Sequence, residues 1–178
     1  GPDNVGGRIR AFLIHRDSGN IWFACGVSGG LFRSISAGNS WNPVNDRQEN
    51  LNVNCIAQTA NGTIYYGTGE GGFVNLSGTR NGSPAFLGAG IYKSTDNRGV
   101  AFTKMTNTSA ASFMQCNSMV AHPTDDKFYV GTEDGIYEFT NNGGTQKKVS
   151  VGSIKELKMD KNGVLWASTG SGSILKMD

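Results

Sequence analysis

The chain has 178 residues, and its 16 Lys and Arg against 14 Asp and Glu leave a formal charge of +2, which points to no polyanionic partner and no nucleic acid. Hydrophobic residues at 37% and aromatics at 10% exclude a disordered linker, and the 26 glycines never settle into the every-third-residue period of collagen, so they are read as turns. Apolar runs are far shorter than the ~20 residues of a membrane-spanning helix, so no membrane insertion is expected. Cys25, Cys55 and Cys116 cannot complete a disulfide framework and lack the close spacing of a zinc site. Buried free thiols are expected, with one disulfide plus one free thiol as the alternative, and no metal or cofactor is expected.

In chain order, one phrase recurs four times. A strand-like run RIRAFLI and the turn RDSGN lead into NIWFACGVSGGLFRS, from Asn20 to Ser34, and then SWNPV from Ser40. The second copy runs VNCIAQT, ANG, TIYYGTG, resumes at Gly90 as GIYKSTD and ends in AFTKM. A third reads NSMVAHP, TDD, KFYVGTEDGIYEFTN and QKKVSV, and a fourth IKELKMD, KNG, VLWASTGSGSILKMD. Gly19 and the Asn-Gly pairs at Asn61 and Asn162 are expected to supply the positive φ of hairpin turns. Anchored at Ile21, Ile64, Phe128 and Leu165, the repeat fits the ~40–50 residues of a four-stranded propeller blade, with an insertion in the middle step. Apolar runs such as IWFAC are expected where both faces of a blade are covered.

These observations predict an all-β chain of β-propeller blades, each a four-stranded antiparallel meander. Approximate blades are 8–45, 53–106, 116–151 and 153–178, the last stopping before its fourth strand. The whole is read as one portion of a larger propeller, completed by further blades from a longer chain or from another chain. The chain begins with Gly and shows no leader-like segment, which suggests a mature secreted product or an excised piece.

The turn after each third strand refines the class. It reads SISAGNSW from Ser34, STDNRGVAF from Ser94 and TNNGGTQK from Thr140. These resemble the Asp box of sialidase-like, sortilin-like and xyloglucanase-like propellers, a Ser/Thr-x-Asp-x-Gly-x-x-aromatic turn. The matching positions are Ser34, Ser36, Gly38 and Trp41, then Ser94, Asp96, Gly99 and Phe102, then Thr140, Asn142 and Gly144. Ser36 and Asn142 replace the Asp, one extra residue precedes Gly99, and Lys147 replaces the third aromatic. The resemblance implies a structural role for these turns, with the glycines in left-handed geometry. The opening segment also looks like the first blades of large secreted bacterial proteins, many of them exported by the type IX route, which implies a secreted or cell-surface location.

Loops on one propeller face are the expected binding surface. The insertion after Gly69 offers Glu70, Phe73, Arg80 and Phe86, and the third blade adds Glu133 and Asp134. Glycoside cleavage needs a facing pair of carboxyl groups, and among Asp46, Glu49, Glu70, Glu133 and Asp134 none stands out. In xyloglucanase-type hydrolases a catalytic Asp sits just before a Gly-Gly-small-aromatic segment, whereas GVSGGLFRS places Val27 there. Sialidases carry Arg-Ile-Pro, whereas this chain has Arg8-Ile9-Arg10. Gly67, Gly69 and Gly72 match GxGxxG without a following helix, Asp160, Asn162 and Gly163 read as a hairpin turn rather than a calcium loop, and His15 and His122 as strand-end residues. The reading is a noncatalytic module that binds protein or carbohydrate. Its alternatives are a glycan-cleaving propeller with its acids outside this segment, or an assembly factor similar to the small propellers of photosystem biogenesis.

Overall fold

A computed structural model describes residues 7–44, 46–71 and 86–178. Four antiparallel sheets follow one another along the chain. The first contains β1 (Ile9–Ile14), β2 (Trp22–Gly26), β3 (Gly30–Ser34) and β4 (Asn42–Val44), and the second β5 (Val53–Gln58), β6 (Ile64–Thr68), β7 (Ile91–Ser94) and β8 (Phe102–Lys104). The third contains β9 (Cys116–Ala121), β10 (Phe128–Thr132), β11 (Gly135–Thr140) and β12 (Thr145–Val151), and the fourth β13 (Ile154–Met159), β14 (Leu165–Thr169) and β15 (Ile174–Met177). Strands pair only with sequence neighbours, so each sheet is a meander, and the four are arranged as a four-blade β-propeller, as expected from the repeat.

Local sequence explains the hairpins, with two corrections. Gly62 and Gly163 take φ of 91° and 85° beside Asn61 and Asn162, as the tight turns require. Gly19 is not left-handed, because the first hairpin is longer: the His15 amide bonds to the Ile21 carbonyl across five residues, against three between Thr59 and Thr63. That extra length shifts the repeat by one position. Trp22, not Ile21, pairs with its first strand as Ile64, Phe128 and Leu165 do with theirs. His15 and His122 do occupy equivalent strand ends, where their Nδ1 atoms accept from the amides of Asp17 and Asp125. Asp160 likewise accepts from the Asn162 and Val164 amides and closes a hairpin.

The turns after the third strands are held by small polar side chains. Ser34 Oγ accepts from the Ser36 and Gly38 amides at 3.1 and 2.9 Å, Asp96 accepts from the Arg98 and Val100 amides, and Ser94 Oγ caps the Ile64 amide. Trp41 Nε1 donates to the Gly38 carbonyl, and Phe102 is buried. Gly38 and Gly99 are left-handed at 86° and 63°. In the third turn the left-handed residues are Asn141, Asn142 and Gly143 rather than Gly144: the two-residue Asn start brings the bend one position earlier.

Side-chain alternation divides each sheet into two faces. Phe23, Cys25 and Leu31 of the first blade meet Ile56, Ile64, Tyr66 and Tyr92 of the second. The other face of the second blade, with Cys55, Tyr65 and Ile91, meets Phe128, Val130, Tyr137 and Phe139 of the third. Tyr129 and Ile136 of the third then meet Leu157, Leu165 and Ala167 of the fourth. Both faces of β6 and β10 are therefore buried, which is why their sequences run apolar on successive residues. All three cysteines are free and buried, Cys25 in the first joint and Cys55 and Cys116 in the second.

First strands of successive blades pack against each other from β1 to β5, β9 and β13, whereas among the described residues β13 and β1 make at most marginal contact. Phe12 and Ile14 on the far face of the first blade are 49% and 52% exposed, and Trp166 and Ile174 on the far face of the fourth are 40% and 75% exposed.

Candidate functional site

Arg10, Asn54, Asn117, Ser118, Glu156 and Lys158 from the four first strands line a central cavity of about 280 Å³. Asn54 donates to the Cys116 carbonyl and Asn117 to the Ile154 carbonyl, so these amides tie each first strand to the next.

The loops at one end of the strands hold Glu70, Glu133 and Asp134, and each of these three already has a partner. Glu70 is buried at 1% exposure against the Arg8 guanidinium, which grips both carboxylate oxygens, while its backbone pairs with Phe86. Glu133 accepts from Lys155 at 2.7 Å, Ser153 at 2.6 Å and Asn117 at 2.7 Å. Burial pushes its pKa up, but those three donors outweigh burial and hold it below the ordinary carboxylate value. Asp134 accepts from Lys148 at 2.7 Å, Tyr137 Oη at 2.5 Å and Ser112 at 2.9 Å, and these donors draw its pKa down to about 2. Glu133 and Asp134 are thus ionised at neutral pH and suited to bracing loops. A general acid needs the reverse, a carboxyl kept protonated by an apolar or like-charged setting.

Asn117 also accepts from the Gly71 amide at 2.9 Å, which brings the Glu70 loop against Glu133. Sequence reasoning missed the part of Asn117 and Lys155 in this band. The signal was the repeat itself, since Arg10, Asn54, Asn117 and Lys155 are equivalent positions beside a β-bulge in each first strand.

A different geometry occurs between the first two blades. Val27 and Ser28 from the β2–β3 turn, Glu49 to Asn52 from the connection to β5, and Phe86 and Leu87 surround a cavity of about 260 Å³. Phe86 and Leu87 are exposed, and Glu49 carries an ion pair to Lys104 at the rim. Asn52 is buried at 6% exposure, yet neither its side-chain nitrogen nor its oxygen has a hydrogen-bond partner. An unmade buried hydrogen bond costs ~1–3 kcal/mol, so this amide is an unmet donor and acceptor in the wall of a cleft with an apolar rim. Asn50 fixes the connection by accepting from the Asn52 amide and donating to the Leu87 carbonyl. Phe86 is thus placed in a cleft, apart from Glu133 and Asp134. Phe73 and Arg80 lie outside the described residues. Asn52 was not singled out by sequence, because its unmet bonds arise only from packing.

Among the described residues no cluster of His, Cys, Asp and Glu forms a metal site, and no helix is long and apolar enough to cross a membrane.

No protein-family model matches the chain, and no curated protein shows significant similarity to it. Solved structures do. An ancestral GH74 enzyme superposes with a TM-score of 0.69 at 17% identity, over 96% of this chain and 25% of that one. The extracellular domain of a protein described as a hybrid two-component system of B. thetaiotaomicron gives 0.70 at 15%, over 100% and 22%. YCF48 from Cyanidioschyzon merolae gives 0.66 at 15%, over 97% and 53%. The class that fold and comparisons define is the β-propeller; at these identities the likeness is one of fold. The chain spans about a quarter of the first two neighbours and about half of the third.

Proposed function

We propose that the chain is a noncatalytic binding module of a secreted or cell-surface protein, a propeller of the Asp-box type whose loop face takes a carbohydrate or protein ligand. The observation that carries this reading is the contrast between the two sets of loops. Glu70, Glu133 and Asp134 are locked into ion pairs and hydrogen bonds, whereas the cleft between the first two blades has the buried, unpartnered amide of Asn52 in its wall, beside the exposed Phe86 and Leu87. A neutral amide that can both donate and accept, beside an aromatic face, suits a sugar ring or a peptide backbone and gives no preference to a charged ligand. Extracellular propeller domains among the structural neighbours support the location, and YCF48, another neighbour, has been solved bound to a D1 peptide.

The test is a screen of the labelled chain on glycan and peptide arrays, followed by titration calorimetry of the hits. Expected is a ligand whose affinity falls at least ~10-fold in Asn52→Ala and Phe86→Ala, the loss of one or two good contacts, and is kept in Glu133→Gln. Cleavage of a polysaccharide by this chain that disappears in Glu70→Gln or Asp134→Asn would overturn the reading.

A further inference from the structure

Two residues step out of the regular strand pairing at the joint between the third and fourth blades. Asn117 in β9 and Lys155 in β13 each stand at a β-bulge, and the two strands pack against each other. Both side chains turn to one atom. Lys155 Nζ and Asn117 Nδ2 each donate to Glu133 Oε1 at 2.7 Å, while Ser153 Oγ donates to Oε2 at 2.6 Å and fixes the carboxylate between them.

The Asn117 amide is held at both of its polar atoms. Its Nδ2 also donates to the Ile154 carbonyl at 2.7 Å, and its Oδ1 accepts from the Gly71 amide at 2.9 Å. Asn117 is 5% exposed, and the Lys155 and Glu133 side chains are partly buried beside it. Gly71 closes the cluster. A Cβ at that position would overlap Glu133 Oε1 and lie 2.8 Å from Asn117 Oδ1, so the backbone comes this near only because the residue is glycine.

An amine and a carboxamide are ordinarily inert toward each other, because the amine is protonated and the amide carbon is a poor electrophile. This cluster meets both obstacles. One carboxylate oxygen touches the nucleophile and the leaving nitrogen together, so it can move a proton from one to the other, and a backbone N–H already points at the oxygen where negative charge would develop. Burial of Asn117 keeps the competing nucleophile, water, away from its amide.

We propose that Lys155 and Asn117 form an intramolecular isopeptide bond that staples the first strands of the third and fourth blades. Glu133 takes a proton from the Lys155 ammonium, and the freed amine attacks Asn117 Cγ. The Gly71 amide stabilises the charge on Oδ1, and Glu133 returns the proton to Nδ2. The Cγ–Nδ2 bond breaks as the Cγ–Nζ bond is kept, and the nitrogen departs as ammonium with two of the three Nζ protons. Glu133 ends as it began, a carboxylate, and the step needs no oxidant. In the structure the two side chains are unreacted and bridged by Glu133.

Intact-mass spectrometry of the denatured chain, followed by tryptic mapping, tests the bond. Expected is a mass below that of the sequence by one ammonia, and a branched peptide joining the segments of Asn117 and Lys155. Both signals disappear in Lys155→Arg, and bond formation slows at least ~100-fold in Glu133→Gln, the loss of one proton-transferring group, with the far-ultraviolet dichroism of each variant unchanged. A folded chain that keeps its full sequence mass after prolonged incubation at neutral pH would overturn the proposal. So would an ammonia loss that persists in Lys155→Arg, the mark of a succinimide at an Asn-Gly pair. Ligand binding at the Asn52 cleft is a separate measurement, and neither result bears on it.

Discussion

Asp134, singled out by sequence as a candidate ligand-binding residue, is engaged by three side chains of its own chain. Lys148, Tyr137 and Ser112 converge on its carboxylate and draw its pKa to about 2, below the ~3.9 of an unfolded chain. A pKa depressed on folding contributes stability above the unfolded value, and that contribution is lost as pH falls toward the folded one. Because the side chain is nearly half exposed, solvent screens the pair and the gain is modest. Thermal melts from pH 6 to pH 2 should therefore show Asp134→Asn less stable than the parent above pH ~4, with the two curves converging toward pH 2. A constant gap across that range would mean that the stabilisation does not arise from the charge. The sequence pointed to Glu70, Glu133 and Asp134, and in the structure Asn117 joins the Glu70 loop to Glu133. The sequence could not show that Arg8, Lys155 and Lys148 already occupy them, because those partners come from other turns of the chain.

Blades and the joints between them make up the next scale. Strand order, hairpin turns and the short fourth blade were legible because an apolar phrase repeats between Gly- and Asn-rich turns. Register was less so: the one-position shift at Trp22 and the bend at Gly143 instead of Gly144 depend on turn length, which only backbone pairing fixes. Glycines that look alike in sequence also differ in kind. Gly99 is left-handed and lies under the buried Phe23 ring, so Gly99→Ala adds both strain and overpacking at a joint, while a Cβ added at Gly19 would meet nothing within 4 Å. Urea unfolding should place Gly99→Ala roughly 2–4 kcal/mol below the parent. Gly19→Ala should fall within ~0.5 kcal/mol of it. Equal losses at the two sites would show that the joint is looser than its geometry implies.

Across the whole molecule, stability in a repeat array is a sum of blade and joint contributions, so elements with two neighbours outlast those with one. β6 and β10 are buried on both faces, whereas β1 and β15 alternate between exposed and half-buried positions. Amide hydrogen exchange is expected to be slowest in β6 and β10 and fastest in β1 and β15, under conditions where the chain is monomeric. Uniform protection in a monomer would contradict a one-dimensional array.

By itself the sequence determined the class of fold, the meander in each blade and the insertion after Gly69. All of these are local or periodic, set by which residues alternate, turn or cluster within a few positions. Tertiary structure alone decided that Glu70, Glu133 and Asp134 are paired and that Asn52 is buried with its amide unmet. Each of those depends on what is packed opposite a residue, and that is settled only when distant strands meet.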